Sequence, residues 1–380
     1  MKIVIAIDSL KGCLSSMDAG LAIKNGILRA KPDADIVVRP LADGGEGTTD
    51  ALIEGMNGKR IYLTVTGPMG TPVDCSYGYL ANTKTAVLEM ASAAGITLVP
   101  ANQKNPLIAT TYGVGEMILH AMELGCRNFI IGIGGSATND GGIGMLKALG
   151  YSFLDENGND VGEGGQALDK IFKIDFSKVN SNLSFCNFKV ACDVTNPLYG
   201  ENGATYIYGP QKGVSEETKE FLDQGMKNFA NVTTCYNNTA HDFSIYPGAG
   251  AAGGLGFAFL SYLNADLIPG VELILDVTNL EQDFAETTSP VIAITGEGRL
   301  DHQTAMGKAP IGVAKLAKKY NAKVIAFAGS ITDGASTCNE AGIDAFFPIL
   351  REIMTLEEAM KPETARKNLA ATAEQVFRLL

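Results

Sequence analysis

Ile3-Val-Ile-Ala-Ile7-Asp8-Ser-Leu-Lys11-Gly12 is a β-branched apolar run closed by an acid, followed by a turn and the amphipathic stretch Met17–Lys31. An apolar run without polar alternation, bounded in this way, reads as a strand buried on both faces, as in a parallel sheet covered by helices. The same design recurs at Phe129–Ile133 before Gly134, at Val291–Thr295 before Gly296 and at Val324–Phe327 before Ala328. Helical patterns at Val114–Leu124, Ala309–Lys319 and Leu356–Leu380 complete an alternation that predicts an α/β protein.

The middle of the chain has a different texture. Lys59–Thr66, Ser76–Leu80, Thr85–Glu89 and Ala204–Tyr208 are β-rich segments, all but Thr85–Glu89 containing tyrosine, divided by Pro and Gly turns, which fits a mixed sheet. A chain of 380 residues exceeds what one hydrophobic core serves, so two domains are expected. Residues 1–59 plus 286–380 are expected to form a discontinuous Rossmann-like domain with a parallel sheet. Residues 60–285 form an inserted domain of mixed β-sheet and helices.

Composition narrows the function. A net charge of −12 argues against nucleic acid and anionic membrane surfaces as partners. The seven cysteines are scattered and never form a Cys-x-x-Cys pair, and the three histidines do not cluster with them, so neither a disulfide framework nor a transition-metal site is indicated. With no signal-like segment and no apolar run of about 18 residues, a cytoplasmic location is expected. Self-association is left open.

Chemistry concentrates in strand-end loops, where open α/β sheets bind ligands. Asp8-Ser9-Leu-Lys11-Gly12 suits an anion site or a capped turn. Ala42-Asp43-Gly44-Gly45-Glu46-Gly47-Thr48 has more glycine than a turn needs, and its backbone N–H groups can crowd a ligand at the start of a helix. Gly132-Ile-Gly134-Gly135-Ser136-Ala-Thr138-Asn-Asp140-Gly-Gly142 can cradle phosphates; it also matches a dinucleotide fingerprint, but polar residues delay the helix that such a site requires. Gly248-Ala-Gly250-Ala-Ala-Gly-Gly254 matches G-x-G-x-x-G weakly, and close packing of small residues is an equal reading. In Thr295-Gly-Glu297-Gly-Arg299-Leu-Asp301, continuing to Lys308, Arg299 or Lys308 can neutralise a transferring group while Glu297 or Asp301 holds Mg²⁺ through water. Asp193, closing the strand Phe188–Ala191, is placed to take a hydroxyl proton or to make an Asx turn before Asn196-Pro197. The P-loop and protein-kinase motif sets are missing.

Taken in order, these segments, together with Cys192-Asp-Val-Thr-Asn-Pro-Leu198 and Gly209-Pro-Gln-Lys-Gly213, resemble the bacterial glycerate kinase family along essentially the whole chain. The resemblance implies ATP- and Mg²⁺-dependent phosphorylation of D-glycerate, with 2-phosphoglycerate favoured over 3-phosphoglycerate, in a two-domain α/β protein with one flavodoxin-like domain. The expected substrate site lies in the cleft between the domains. On this reading Asp193, Arg299 and Lys11 are catalytic. Asp8, Ser9, Asp43, Gly44, Glu297 and Lys308 bind substrate. Gly134, Gly135, Ser136, Thr138 and Gly250 bind the nucleotide, and Asp43, Glu46 and Asp301 hold the metal. Two rival readings are a nicotinamide-dependent oxidoreductase of a small hydroxy acid and a non-catalytic carboxylate- or phosphate-binding protein.

Overall fold

The run at the start of the chain is apolar on both sides because its strand is interior to a sheet and covered on both faces. A computed structural model describes residues 1–45, 47–237, 242–286 and 290–380. The strand Lys2–Ile5 lies in a five-stranded sheet of order Ala345–Pro348, Lys323–Ile331, Val291–Leu300, Lys2–Ile5, Asp35–Val38, parallel throughout. Successive side chains of a strand point to opposite faces. Accordingly Val4, Ala293 and Val324 join a core with Ile311, Val313 and Leu316 of the helix Ala309–Lys319. Ile3, Ile5, Ile292, Ile294 and Phe327 join another with Ile23 and Ile27 of the helix Ser16–Ala30 and Leu369 and Phe377 of the helix Pro362–Leu379.

The chain forms two compact units, one of Met1–Asn57 with Val271–Leu380, the other of Gly58–Gly270. Residues 271–285, expected in the inserted domain, belong to the first unit. Val271, Leu280 and Phe284 share the core of Val4 and Ala293, and Arg39 grips Asp283 through two hydrogen bonds of 2.6 and 2.9 Å.

The second unit holds a six-stranded sheet of order Asp266–Ile268, Asn187–Ala191, Asn128–Gly132, Thr85–Glu89, Pro72–Leu80, Lys59–Thr66. Its first four strands are parallel and the last two are antiparallel additions, so the expected mixed sheet is present.

Three elements differ from expectation. Ala204–Tyr208 is a short helix; its tyrosines favour strand, but buried Ala204 and Thr205 pack it inward behind the extended Gly203. The helical pattern Leu356–Leu380 breaks into Leu356–Ala359, opened by a Thr355/Glu358 capping box, and Pro362–Leu379, because proline starts a helix but cannot continue one. The segment Gly296–Leu300, expected as a loop, continues the strand begun at Val291 and pairs with its neighbour as far as Leu300 and Ile331. Its polar residues disguise the strand because one of its faces lines a cavity. Among the described residues no helix is long and apolar enough to cross a membrane.

Candidate active site

Three strands of the first unit's sheet deliver polar groups to one place. The Lys2–Ile5 strand leads to Asp8, Ser9 and Lys11, the Asp35–Val38 strand leads to Asp43, and the Val291–Leu300 strand carries Glu297 and Arg299, two residues apart and hence on one face. With Asp301 and Lys308 these eight line a cavity of about 480 Å³ whose apolar wall includes Leu350, Leu356 and Met360. The Ser16 hydroxyl fixes two of the approaches, donating to the Ile7 carbonyl at 2.7 Å and accepting the Leu41 N–H at 2.9 Å.

The carboxylates of this cavity are not equivalent. Burial first, and then the charge of Asp43, pushes the Asp8 carboxyl up to about 7, although the Ser9 N–H donates to it at 2.7 Å and Lys11 opposes the rise. Glu297 is also raised by burial, even though its carboxylate accepts the Thr304 hydroxyl at 2.6 Å. For Asp301 burial acts upward too, but the Thr304 and Gln303 N–H groups and Lys308 outweigh it and hold the carboxyl below its ordinary value. Those N–H groups donate to Asp301 at 3.2 and 2.9 Å, so this residue caps the short helix His302–Ala305. Lys11 lies 3.6 Å from Asp43, and Arg299 and Lys308 each lie 3.9 Å from Asp301. Long ion pairs between exposed groups are weak. Arg299, 66% exposed, can therefore turn its guanidinium fork to an anionic ligand.

Gly44 does not join this wall; it is buried in the turn that lets Asp43 accept the Gly45 N–H at 2.9 Å. Glu46, expected among the metal ligands, lies outside the described residues. No three Asp, Glu, His or Cys side chains among the described residues stand close enough to hold a metal by themselves.

The second unit carries the glycine loop. Gly132 pairs with Ala191, so Gly134 and Asp193, each two residues further on, emerge at the same edge of the sheet. Gly134 and Gly135 are exposed, and the N–H groups of Gly134, Gly135 and Ser136 have no acceptor among the described residues. The loop is pinned from behind, where Ile96 N–H donates to the Gly135 carbonyl at 2.8 Å and Ala137 N–H to the Ala94 carbonyl at 2.9 Å. Successive unpaired N–H groups beside a left-handed residue, here Gly135 at φ 74°, form an anion-binding concavity. Thr138 sits beneath the loop and is wholly buried.

Asp193 is exposed and accepts the Gly270 N–H at 2.8 Å. Gly250 does not reach the loop's surface. It is buried, its N–H donates to the Asn196 carbonyl, and a side chain there would meet the Pro197 carbonyl oxygen at 2.1 Å, so this glycine serves packing.

Lys212 was missed as a site residue. It is only 2% exposed, and its amine donates to the Ser136 hydroxyl at 2.6 Å and to the Thr138 carbonyl at 2.7 Å. Burial pushes this lysine down to about 7 against the pull of Asp140. Its motif, Gly209–Gly213, was visible, but nothing local marks a lysine as buried.

A family model described as the glycerate kinase family matches residues 3–380. The chain is 48% identical to the glycerate 2-kinase of Escherichia coli K12, over 98% of each chain. It is 46% identical to the glycerate kinase of Bacillus subtilis 168, covering 99% of this chain and 97% of that one. A crystal structure from Salmonella typhimurium LT2, assigned as a glycerate kinase 2, superposes with a TM-score of 0.90 at 44% identity, over 99% of this chain and 97% of its own.

Proposed function

The chain belongs to the glycerate kinase family, and from that premise we propose that it transfers the γ-phosphoryl group of ATP to a hydroxyl of D-glycerate, giving 2-phosphoglycerate. The observation that carries this reading is the first unit's cavity, where Lys11, Arg299 and Lys308 stand among four carboxylates. A site for an anion alone gains nothing from such acids, whereas phosphoryl transfer needs both signs of charge.

Arg299 takes the glycerate carboxylate in a two-pronged hydrogen bond, and Lys11 adds charge beside it. The N–H groups of Gly134, Gly135 and Ser136 receive ATP phosphates. Asp193 orients the attacking hydroxyl and accepts its proton. Because phosphoryl transfer asks for little covalent help, placing these partners and neutralising their charge accounts for most of the rate.

A magnesium ion fits the carboxylates of the cavity, since a divalent cation would offset the burial, and then the charge of Asp43, that raise Asp8. Asp43 or Asp301 would hold it, with its remaining ligands drawn from phosphate and water. When bound, it neutralises charge on the β- and γ-phosphates.

The oxidoreductase reading has no structural support. The helix after Gly132 begins only at Ile143, and the glycines from 248 to 254 are closed by neighbouring backbone or side chains. Coupled ADP release that depends on D-glycerate, with phosphorus NMR of the product, tests the assignment; ATP turnover indifferent to glycerate would refute it. Asp193→Asn is expected to lower kcat by about 10²- to 10⁴-fold, the usual contribution of a general base. A loss smaller than about tenfold would remove Asp193 from that role.

A further inference from the structure

Lys212 combines deep burial with partners on a single loop. Its turn, Pro210–Lys212, carries the amine beneath the glycine loop, where both of its protein acceptors, Ser136 Oγ and the Thr138 carbonyl, belong to that loop. No carboxylate lies within ion-pair distance of it among the described residues. Asp140, also fully buried, spends its oxygens on the Thr111 N–H and hydroxyl at 2.8 Å and on the Gly142 and Gly144 N–H groups at 3.1 and 3.3 Å. An ammonium has three donors, and the third finds no acceptor among the described residues. Burying such a group is costly, and an apolar side chain of similar volume would avoid the cost. The Thr138 hydroxyl and the Asn139 side-chain oxygen, buried without partners, mark the same polar floor.

We propose that Lys212 is the positioning residue of the glycine loop, fixing the Ser136 hydroxyl and the loop backbone so that they receive the terminal phosphates of a nucleoside triphosphate. The inference rests on the reading that Gly134–Ser136 binds the phosphates of ATP. Because Ser136 Oγ accepts from Lys212, its own O–H is left to donate to a phosphate oxygen. The buried amine also polarises that O–H, and an anion arriving above favours its protonated form. Lys212 thus supplies positive charge behind the loop without touching the ligand.

The test uses the full-length enzyme with Mg²⁺, ATP and D-glycerate. Lys212→Met keeps length and removes the charge. It should raise KM for ATP about tenfold or more while KM for D-glycerate stays within about twofold. Ser136→Ala should shift KM for ATP in the same direction by about threefold, with the double variant no worse than Lys212→Met alone. A purely structural lysine would instead lower the thermal midpoint and the active fraction with both KM values unchanged, which overturns the proposal. Where Lys212→Met does not fold by circular dichroism, Ser136→Ala decides, and an unchanged KM for ATP overturns it.

Gly134→Val separates the two readings, since a Cβ at the exposed Gly134 meets nothing within 4 Å and the fold should accept a branched residue there. If this variant leaves KM for ATP untouched, the loop is not the nucleotide site and both readings fall. If it raises that KM and Lys212→Met does not, only the role of Lys212 falls.

Discussion

Asp8→Asn is expected to cut kcat by about 10³-fold or more while making the protein harder to unfold. Asp8 is 7% exposed, and its carboxylate faces the charges of Asp43 and Glu297, with the Ser9 N–H and Lys11 as its compensation. Asparagine keeps an oxygen for the Ser9 N–H and removes the buried charge. A carboxyl raised from 3.8 to about 7 costs the folded state on the order of 4 kcal/mol above pH 7. The sign follows from proton counting. Between those two values the folded protein holds a proton that the unfolded chain has lost, so wild-type stability falls as pH rises through the interval. The variant should therefore unfold roughly 5 to 10 °C higher at pH 8, with the gap closing toward pH 4. Calorimetry in EDTA at both pH values, beside steady-state kinetics, checks it. A lower midpoint at pH 8 would contradict this account of its stability, and a kcat within about tenfold of wild type would leave the Asp8 carboxylate no part in phosphoryl transfer.

The second large effect is on folding. Gly296→Ala should cost more than about 4 kcal/mol and leave the first unit without its sheet. Gly296 sits at φ 149° inside the strand Val291–Leu300, and a Cβ there would lie 1.8 Å from the Phe327 carbonyl oxygen. That oxygen cannot retreat, because Phe327 is the paired residue of the adjacent strand. Gly298, two residues along, is the control. A Cβ there meets backbone atoms only at 3.8 and 3.9 Å, so Gly298→Ala should change stability by less than about 1 kcal/mol. Urea unfolding of both variants discriminates; equal stabilities would contradict the steric account.

Much of this was legible in the sequence, for physical reasons that differ by element. Ile3–Ile7 betrays its strand because double-sided burial removes all alternation, and the amphipathic spacing of Met17–Lys31 betrays the helix Ser16–Ala30. The acids and cations of the first unit's cavity, Lys308 apart, were visible because they lie on, or a few residues beyond, a recognisable strand. What stayed hidden is long-range. Nothing near Lys212 reveals that residues 76 and 74 positions earlier are its partners. Glycine runs carry one signal for two causes, so Gly250, crowded by Pro197, and Gly134, open to solvent, read alike in one dimension. Gly296–Leu300 looked like a loop because its polar residues answer to a cavity rather than to solvent.

The pairing of Lys2–Ile5 with Val291–Leu300 also sets an order of events during synthesis. The strand made first waits for a partner nearly three hundred residues downstream, while Gly58–Gly270 is continuous and emerges whole in the interval. Non-local pairings of this kind close slowly, and domains generally fold as units as the chain is made. The second unit is thus free to fold while Ile3, Ile5 and Ile23 still lack Leu369 and Phe377. For that interval the apolar side chains of the N-terminal segment lack part of their cover, which the C-terminal helix Pro362–Leu379 supplies last because it is made last.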